Sequence, residues 1–116
     1  MSLTFPVPKI ALGTAPIGSM APVFGYAVSD DDARNTIQRA LASGVTFIDT
    51  APLYGNGVSE VRIGGALKAL GVARDSVILG TKVGWIPGTL GGNHFSDGLR
   101  SYRRDAVLRS VEASLK

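Results

Sequence analysis

Three short apolar segments, each closed by small or polar residues, constrain this chain most. They begin at Lys9, Val45 and Val77, so they recur after 36 and then 32 residues. Lys9-Ile10-Ala11-Leu12 runs into Gly13-Thr14. Val45-Thr46-Phe47-Ile48-Asp49 is rich in β-branched and aromatic residues and ends in a carboxylate. Val77-Ile78-Leu79-Gly80-Thr81-Lys82 ends in a lysine. Short runs of this kind, bounded by punctuating residues, read as buried strands.

Helical patterns fill the intervals. Ser29 precedes Asp30-Asp31-Asp32, an acidic first turn that suits the positive end of a helix dipole. Ala33, Ile37, Ala40 and Leu41 then share one helical face, and Gly44 takes the position just past the helix end. Ser59 and Glu60 open a second helix with a stripe of Ile63, Leu67 and Leu70, stopped by Gly71. A third begins near Arg104, with Val107, Leu108, Val111 and Leu115 expected on its inner side. Residues 15–27 and 84–103 read as loops, the second holding five glycines.

The order is therefore β-α-β-α-β-loop-α. Alternating strands and helices imply right-handed βαβ units and a parallel sheet. The spacing is close to the roughly 31 residues per unit of a (β/α)8 barrel of about 250 residues. A doubly wound open sheet fits the same order. At 116 residues the chain is one domain at most. Lys116 arrives in mid-stripe with no stop signal, and a three-stranded sheet leaves open edges. The expectation is a piece of a larger domain, able to self-associate through those edges.

Composition removes other classes. A hydrophobic share of 45% excludes global disorder, and the absence of cysteine excludes disulfides and Cys-ligated zinc or iron–sulfur sites. No apolar run approaches the 18 or so residues of a membrane helix. Met1–Pro6 lacks the pattern of a signal peptide, so a cytoplasmic protein is expected. The net charge is +3, and the only cationic cluster is Arg100, Arg103 and Arg104 around Tyr102. It reads as a solvated approach to the third helix, so no nucleic acid partner is expected.

Two glycine patterns fail as phosphate loops. Gly55-Asn56-Gly57-Val58-Ser59-Glu60 starts like a dinucleotide fingerprint but has Glu where the third glycine belongs. Gly13 and Gly18 have P-loop spacing without the Lys-Ser/Thr ending. No metal-ligand spacing and no nucleophile elbow is present.

The strand tips are more informative, because sites in parallel α/β proteins form at the carboxyl ends of strands. Asp49 and Lys82 close consecutive strands, and Tyr54 lies five residues beyond Asp49. A phenol is a poor acid–base group at neutral pH; an adjacent ammonium favours its ionised form, and a carboxylate holds the ammonium. The three residues can thus make a proton-transfer device. They can equally be an ion pair bracing the rim, with Tyr54 packed in a loop. Trp85 either walls a substrate pocket or simply packs. His94, the only histidine, reads as solvent-facing, since nothing near it in sequence would fix its tautomer.

Residues 44–55, Gly-Val-Thr-Phe-Ile-Asp-Thr-Ala-Pro-Leu-Tyr-Gly, resemble the signature of the aldo-keto reductases. Ser59-Glu60, Ile63-Gly64 and Ala66-Leu67 resemble the family's next conserved segment, and Thr81-Lys82-Val83-Gly84 resembles its lysine motif. The opening residues 12–18, the long third loop and residues 105–115 are most similar to the aldose (fucose) and pyridoxal dehydrogenase branch. The resemblance runs from about Leu12 to Lys116. It implies that residues 1–116 are the N-terminal portion of one (β/α)8 barrel domain, about three βα units. It implies NAD or NADP as cofactor and hydride transfer to or from a small carbonyl or alcohol substrate. By motif, Tyr54 is the general acid/base, Lys82 lowers its pKa, and Asp49 supports Lys82 near the nicotinamide ribose. Gly13 and Thr14 match positions bordering the nicotinamide, and Tyr54 and Trp85 match substrate-facing positions. The family's catalytic histidine belongs after a fourth strand, so His94 does not take that role. The fragment alone is expected to be inactive.

Overall fold

The structure, a computed structural model, describes residues 6–93 and 95–116. The readings of Met1–Phe5 and of His94 lie outside the described residues.

Three parallel strands, β1 (Leu12–Gly13), β2 (Phe47–Asp49) and β3 (Ile78–Gly80), lie side by side in chain order. Leu12 pairs with Ile48 and Gly13 with Asp49; Ile48 pairs with Leu79 and Asp49 with Gly80. The strands are shorter than the apolar runs that announce them. A ladder extends only as far as a neighbour can accept its hydrogen bonds, so Ile10 and Ala11 stay outside it although apolar.

The two helices that flank β2 match their signals closely, whereas the first helix lies in the stretch 15–27 that reads as loop. Helix α1 (Ala21–Phe24) is a single turn inside the first loop, preceded by a tight turn at Pro16–Gly18. Ser29 caps α2 (Asp30–Ala42), its hydroxyl accepting the Asp32 backbone N–H at 3.1 Å. Helix α3 (Val58–Ala69) starts one residue before Ser59, and its cap is Gly57. Gly44 and Gly71 both adopt the left-handed conformation past their helices.

The core lies between the sheet and α2 and α3. Ala33 and Ile37 meet Ile63, Ala66 and Leu67 over the fully buried Ile48. Because side chains alternate along a strand, burying Ile48 turns Phe47 and Asp49 to the opposite face. The hydrophobic core thereby aims the Asp49 carboxylate away from the helices.

Two expectations are corrected. The stretch expected to be all loop at 84–103 begins and ends as an antiparallel ribbon, β4 (Trp85–Pro87) with β5 (Gly98–Arg100). Three-residue strands containing proline and glycine carry almost no alternation signal, which is why the sequence hides them. Helix α4 (Arg104–Ser114) packs against β4 and buries Ala106 and Ser110. Leu108, Val111 and Leu115 of the expected inner stripe are exposed instead. The ribbon is approached by the helix face with small residues, which allow the closer contact.

Candidate active site

The parallel register sets the site. Asp49 ends the middle strand, level with Gly13 on one side and Gly80 on the other. Lys82 lies two residues beyond Gly80 and folds back across the tip of β2. Its Nζ is 3.0 Å from Asp49 Oδ2, 3.2 Å from Asp49 Oδ1 and 2.9 Å from the Thr50 carbonyl oxygen. The same Nζ lies 5.0 Å from the centre of the Tyr54 ring, on its face. One ammonium thus ties together the ends of two strands and the loop carrying the phenol.

Burial by itself lowers the Lys82 pKa. The hydrogen bonds to Asp49, and attraction by Asp49 and Tyr54, outweigh that and raise it above the usual 10.5. The lysine therefore stays an ammonium at neutral pH. Its side chain and that of Asp49 are each nearly half exposed, so the pair sits on an open rim.

The loop after β2 is built to hold Tyr54. Gly55, Asn56 and Gly57 are all left-handed, with φ of 64°, 51° and 95°. This run turns the chain from the phenol directly into α3. Gly55 also lies backbone to backbone with Gly18, and a Cβ on Gly55 would run into the Gly18 carbonyl oxygen. The first loop thereby clamps the tyrosine loop from below.

A buried hydroxyl network joins the same parts. Thr14 Oγ1 donates to the Asp49 carbonyl oxygen at 2.8 Å and lies 2.9 Å from Ser59 Oγ. Ser59 Oγ is 3.0 Å from Thr50 Oγ1. Thr14 and Ser59 are fully buried. Thr14 is therefore placed inside the rim, with its hydroxyl engaged by protein. Gly13 is exposed, and no atom lies within 4 Å of where a Cβ on it would sit. Glu60 takes a related role, accepting from Thr81 Oγ1 at 2.7 Å beside the lysine motif.

Sequence reasoning does not single out Asn56 and Ser59 as site residues. Ser59 reads as a helix opener, yet its partners lie in other loops. The available signal is a run of polar residues around a pair of turn glycines, where exposed helix-opening residues would suffice. Trp85, at the start of β4, donates its indole N–H to Asn56 Oδ1 at 2.8 Å, which places it beside the tyrosine loop.

Residues 9–116 match the model of the aldo/keto reductase family. The chain belongs to that family. It is 36% identical over 110 residues to L-galactose dehydrogenase of Arabidopsis thaliana, an alignment covering 95% of this chain and 30% of the plant enzyme. It is 36% identical over 78 residues to D-threo-aldose 1-dehydrogenase of a Pseudomonas species, covering 67% of this chain and 22% of that protein. Among solved structures, glycerol dehydrogenase from Gluconobacter oxydans superposes with a TM-score of 0.70 at 35% identity, covering 97% of this chain and 32% of the other. The chain thus spans about a third or less of the length of these relatives. Its three βα units correspond to part of a (β/α)8 barrel, which decides between the barrel and the open sheet. The carboxyl-end rim that carries Asp49, Tyr54 and Lys82 is the functional face of such a barrel.

Proposed function

We propose that this chain carries the proton-transfer half of an NAD- or NADP-dependent oxidoreductase of aldo-keto reductase type. The reaction is reversible hydride transfer between the nicotinamide and a carbonyl or alcohol carbon of an aldose or pyridoxal-like substrate. The observation that carries it is the single Lys82 ammonium, bound to Asp49 and lying over Tyr54.

Tyr54 acts as general acid toward a carbonyl oxygen and as general base toward an alcohol. Lys82 sets a fixed positive charge against the face of the phenol that exchanges the proton. Asp49 holds that ammonium in place, and the Thr50 carbonyl oxygen fixes its remaining direction. When bound at this rim, a nicotinamide would supply or accept the hydride. The rim fits that end of the cofactor: Gly13 leaves open space beside β1, and the Asp49 carboxylate presents acceptors for ribose hydroxyls. Names of the relatives, an L-galactose and a D-threo-aldose dehydrogenase, support the substrate class.

The test is Tyr54→Phe in a barrel of full family length carrying these residues. A loss of about 10²-fold or more in kcat with an unchanged thermal melt supports the reading. Near-normal turnover by the phenylalanine variant refutes it.

A second reading concerns the 116 residues alone. The outer edges of β1 and β3 and the exposed Leu108, Val111 and Leu115 favour self-association of the isolated chain. Sedimentation showing a monomer at low micromolar concentration counts against it.

A further inference from the structure

Asn56 is a polar side chain with no exposure at all, two residues beyond Tyr54. Its φ of 51° is one that glycine accepts more readily, and glycine stands on both sides of it. Asparagine is among the few non-glycine residues that adopt this φ readily, so the turn permits an amide without requiring one. The requirement comes from the hydrogen bonds. Nδ2 donates to the Thr89 and Asp97 carbonyl oxygens, each at 2.7 Å, and Oδ1 accepts the Trp85 indole N–H at 2.8 Å. Reversing the amide would set an oxygen against two carbonyls and an NH₂ against an N–H, so the partners fix its orientation.

The three partners all belong to the β4–β5 ribbon and its connecting loop, 29 to 41 residues away in sequence. Gly98 presses on the Trp85 ring from across the ribbon, where a Cβ would collide with the indole. The indole is held by its N–H on one side and confined at its ring on another. One side chain thus ties Thr89, Asp97 and the chain's only tryptophan to the loop that carries Tyr54.

We propose that Asn56 is a positioning residue: it latches Trp85 and the loop residues Thr89 and Asp97 to the tyrosine loop, so that the indole forms a fixed wall of the carbonyl-substrate space. The substrate part rests on the proposed oxidoreductase function; the latch does not. Asn56 touches no reacting atom. It acts through Trp85, and its loss is felt as looser substrate binding rather than as lost proton transfer.

The experiment uses two variants of the chain, read by Trp85 emission, acrylamide quenching and amide exchange of residues 88–97. Asn56→Gly keeps the left-handed backbone and deletes all three bonds. It is expected to melt cooperatively, shift Trp85 emission to the red, at least double the quenching constant and speed loop exchange at least tenfold. Asn56→Asp keeps the acceptor for the indole and loses both donors. It is expected to speed loop exchange while leaving Trp85 emission near that of the parent. This split separates a latch from general destabilisation, and Asn56→Asp carries the test if Asn56→Gly fails to fold. Unchanged emission and exchange in the variants, or equal emission shifts in both, overturns the latch. In the full-length barrel, Asn56→Gly, which frees the indole, is expected to raise KM for the carbonyl substrate at least fivefold with kcat within threefold, while Asn56→Asp, which keeps the indole bond, leaves KM within twofold of the parent. A fall in kcat at constant KM overturns the wall assignment, whereas normal turnover by Tyr54→Phe overturns the oxidoreductase reading and leaves the latch standing.

Discussion

Lys82 reaches across from the end of β3 to place its Nζ 3.0 Å from Asp49 Oδ2, at the tip of the neighbouring strand. Both side chains are nearly half exposed, and exposed pairs of this kind contribute only about 0.2–1 kcal/mol. The pair is therefore poorly explained by stability. Lys82→Met is expected to change the unfolding free energy by less than about 1 kcal/mol. In the full-length barrel it is expected to slow turnover by about 10²-fold or more, because the charge over the phenol is gone. Urea unfolding and steady-state kinetics of one variant check both halves.

The pH dependence has a definite sign. The folded chain raises the Lys82 pKa above 10.5, the value in an unfolded chain. Stabilisation from the ammonium is thus complete below about pH 10.5 and is lost as pH climbs through the raised folded value. The stability gap between the parent and Lys82→Met should stay constant from pH 6 to 9 and close above 10.5. A gap that shrinks between pH 7 and 9 contradicts the assignment.

The features legible in the sequence are local or come from parallel order. Ser29 caps its helix through a contact three residues away, and Gly44 ends it through its own φ. Asp49 and Lys82 meet because consecutive parallel strands place their tips side by side, and the family motif singles out Tyr54. The hidden features depend on distant partners. Ser59 bonds to Thr14, 45 residues earlier, and Asn56 to Asp97, 41 residues later. Neither separation leaves a periodic trace. Helix α4 misleads for a related reason: its apolar stripe is real, but the ribbon meets the face carrying Ala106 and Ser110.

Ser59 joins Thr14 on the first rim loop to Thr50 beyond β2, through a hydroxyl sealed from solvent. Ser59→Ala takes from the buried Thr50 hydroxyl its Ser59 partner, while Thr14 keeps its bond to the Asp49 carbonyl oxygen, at a cost of about 1–3 kcal/mol. Chemical denaturation measures it. A change under about 0.3 kcal/mol would show that the network contributes nothing net.

Gly55 is constrained twice, by a φ of 64° and by the Gly18 carbonyl. Gly55→Ala has to relieve both the left-handed strain and the backbone collision, for a loss of about 2 kcal/mol or more. Since Tyr54 is the adjacent residue, the same variant should lower kcat in the full-length barrel. Gly71→Ala supplies the control: it shares the positive φ, but no atom lies within 4 Å of its added Cβ. The difference between the two melts isolates the part due to the Gly18 contact.

The last prediction concerns the 116 residues by themselves. Ligand sites usually bury most of their ligand, whereas Asp49 and Lys82 lie on an open rim. The site supplies groups for one end of a dinucleotide and little enclosure for the rest. The isolated chain is expected to bind NADH or NADPH no more tightly than about 1 mM, or −4.1 kcal/mol. It should also show no cofactor-dependent reduction of an aldose or aldehyde. Calorimetric titration and absorbance of the reduced nicotinamide are the measurements. Micromolar binding would mean that the described rim alone grips the cofactor, and brisk oxidation of NADPH would mean that three βα units suffice for the chemistry.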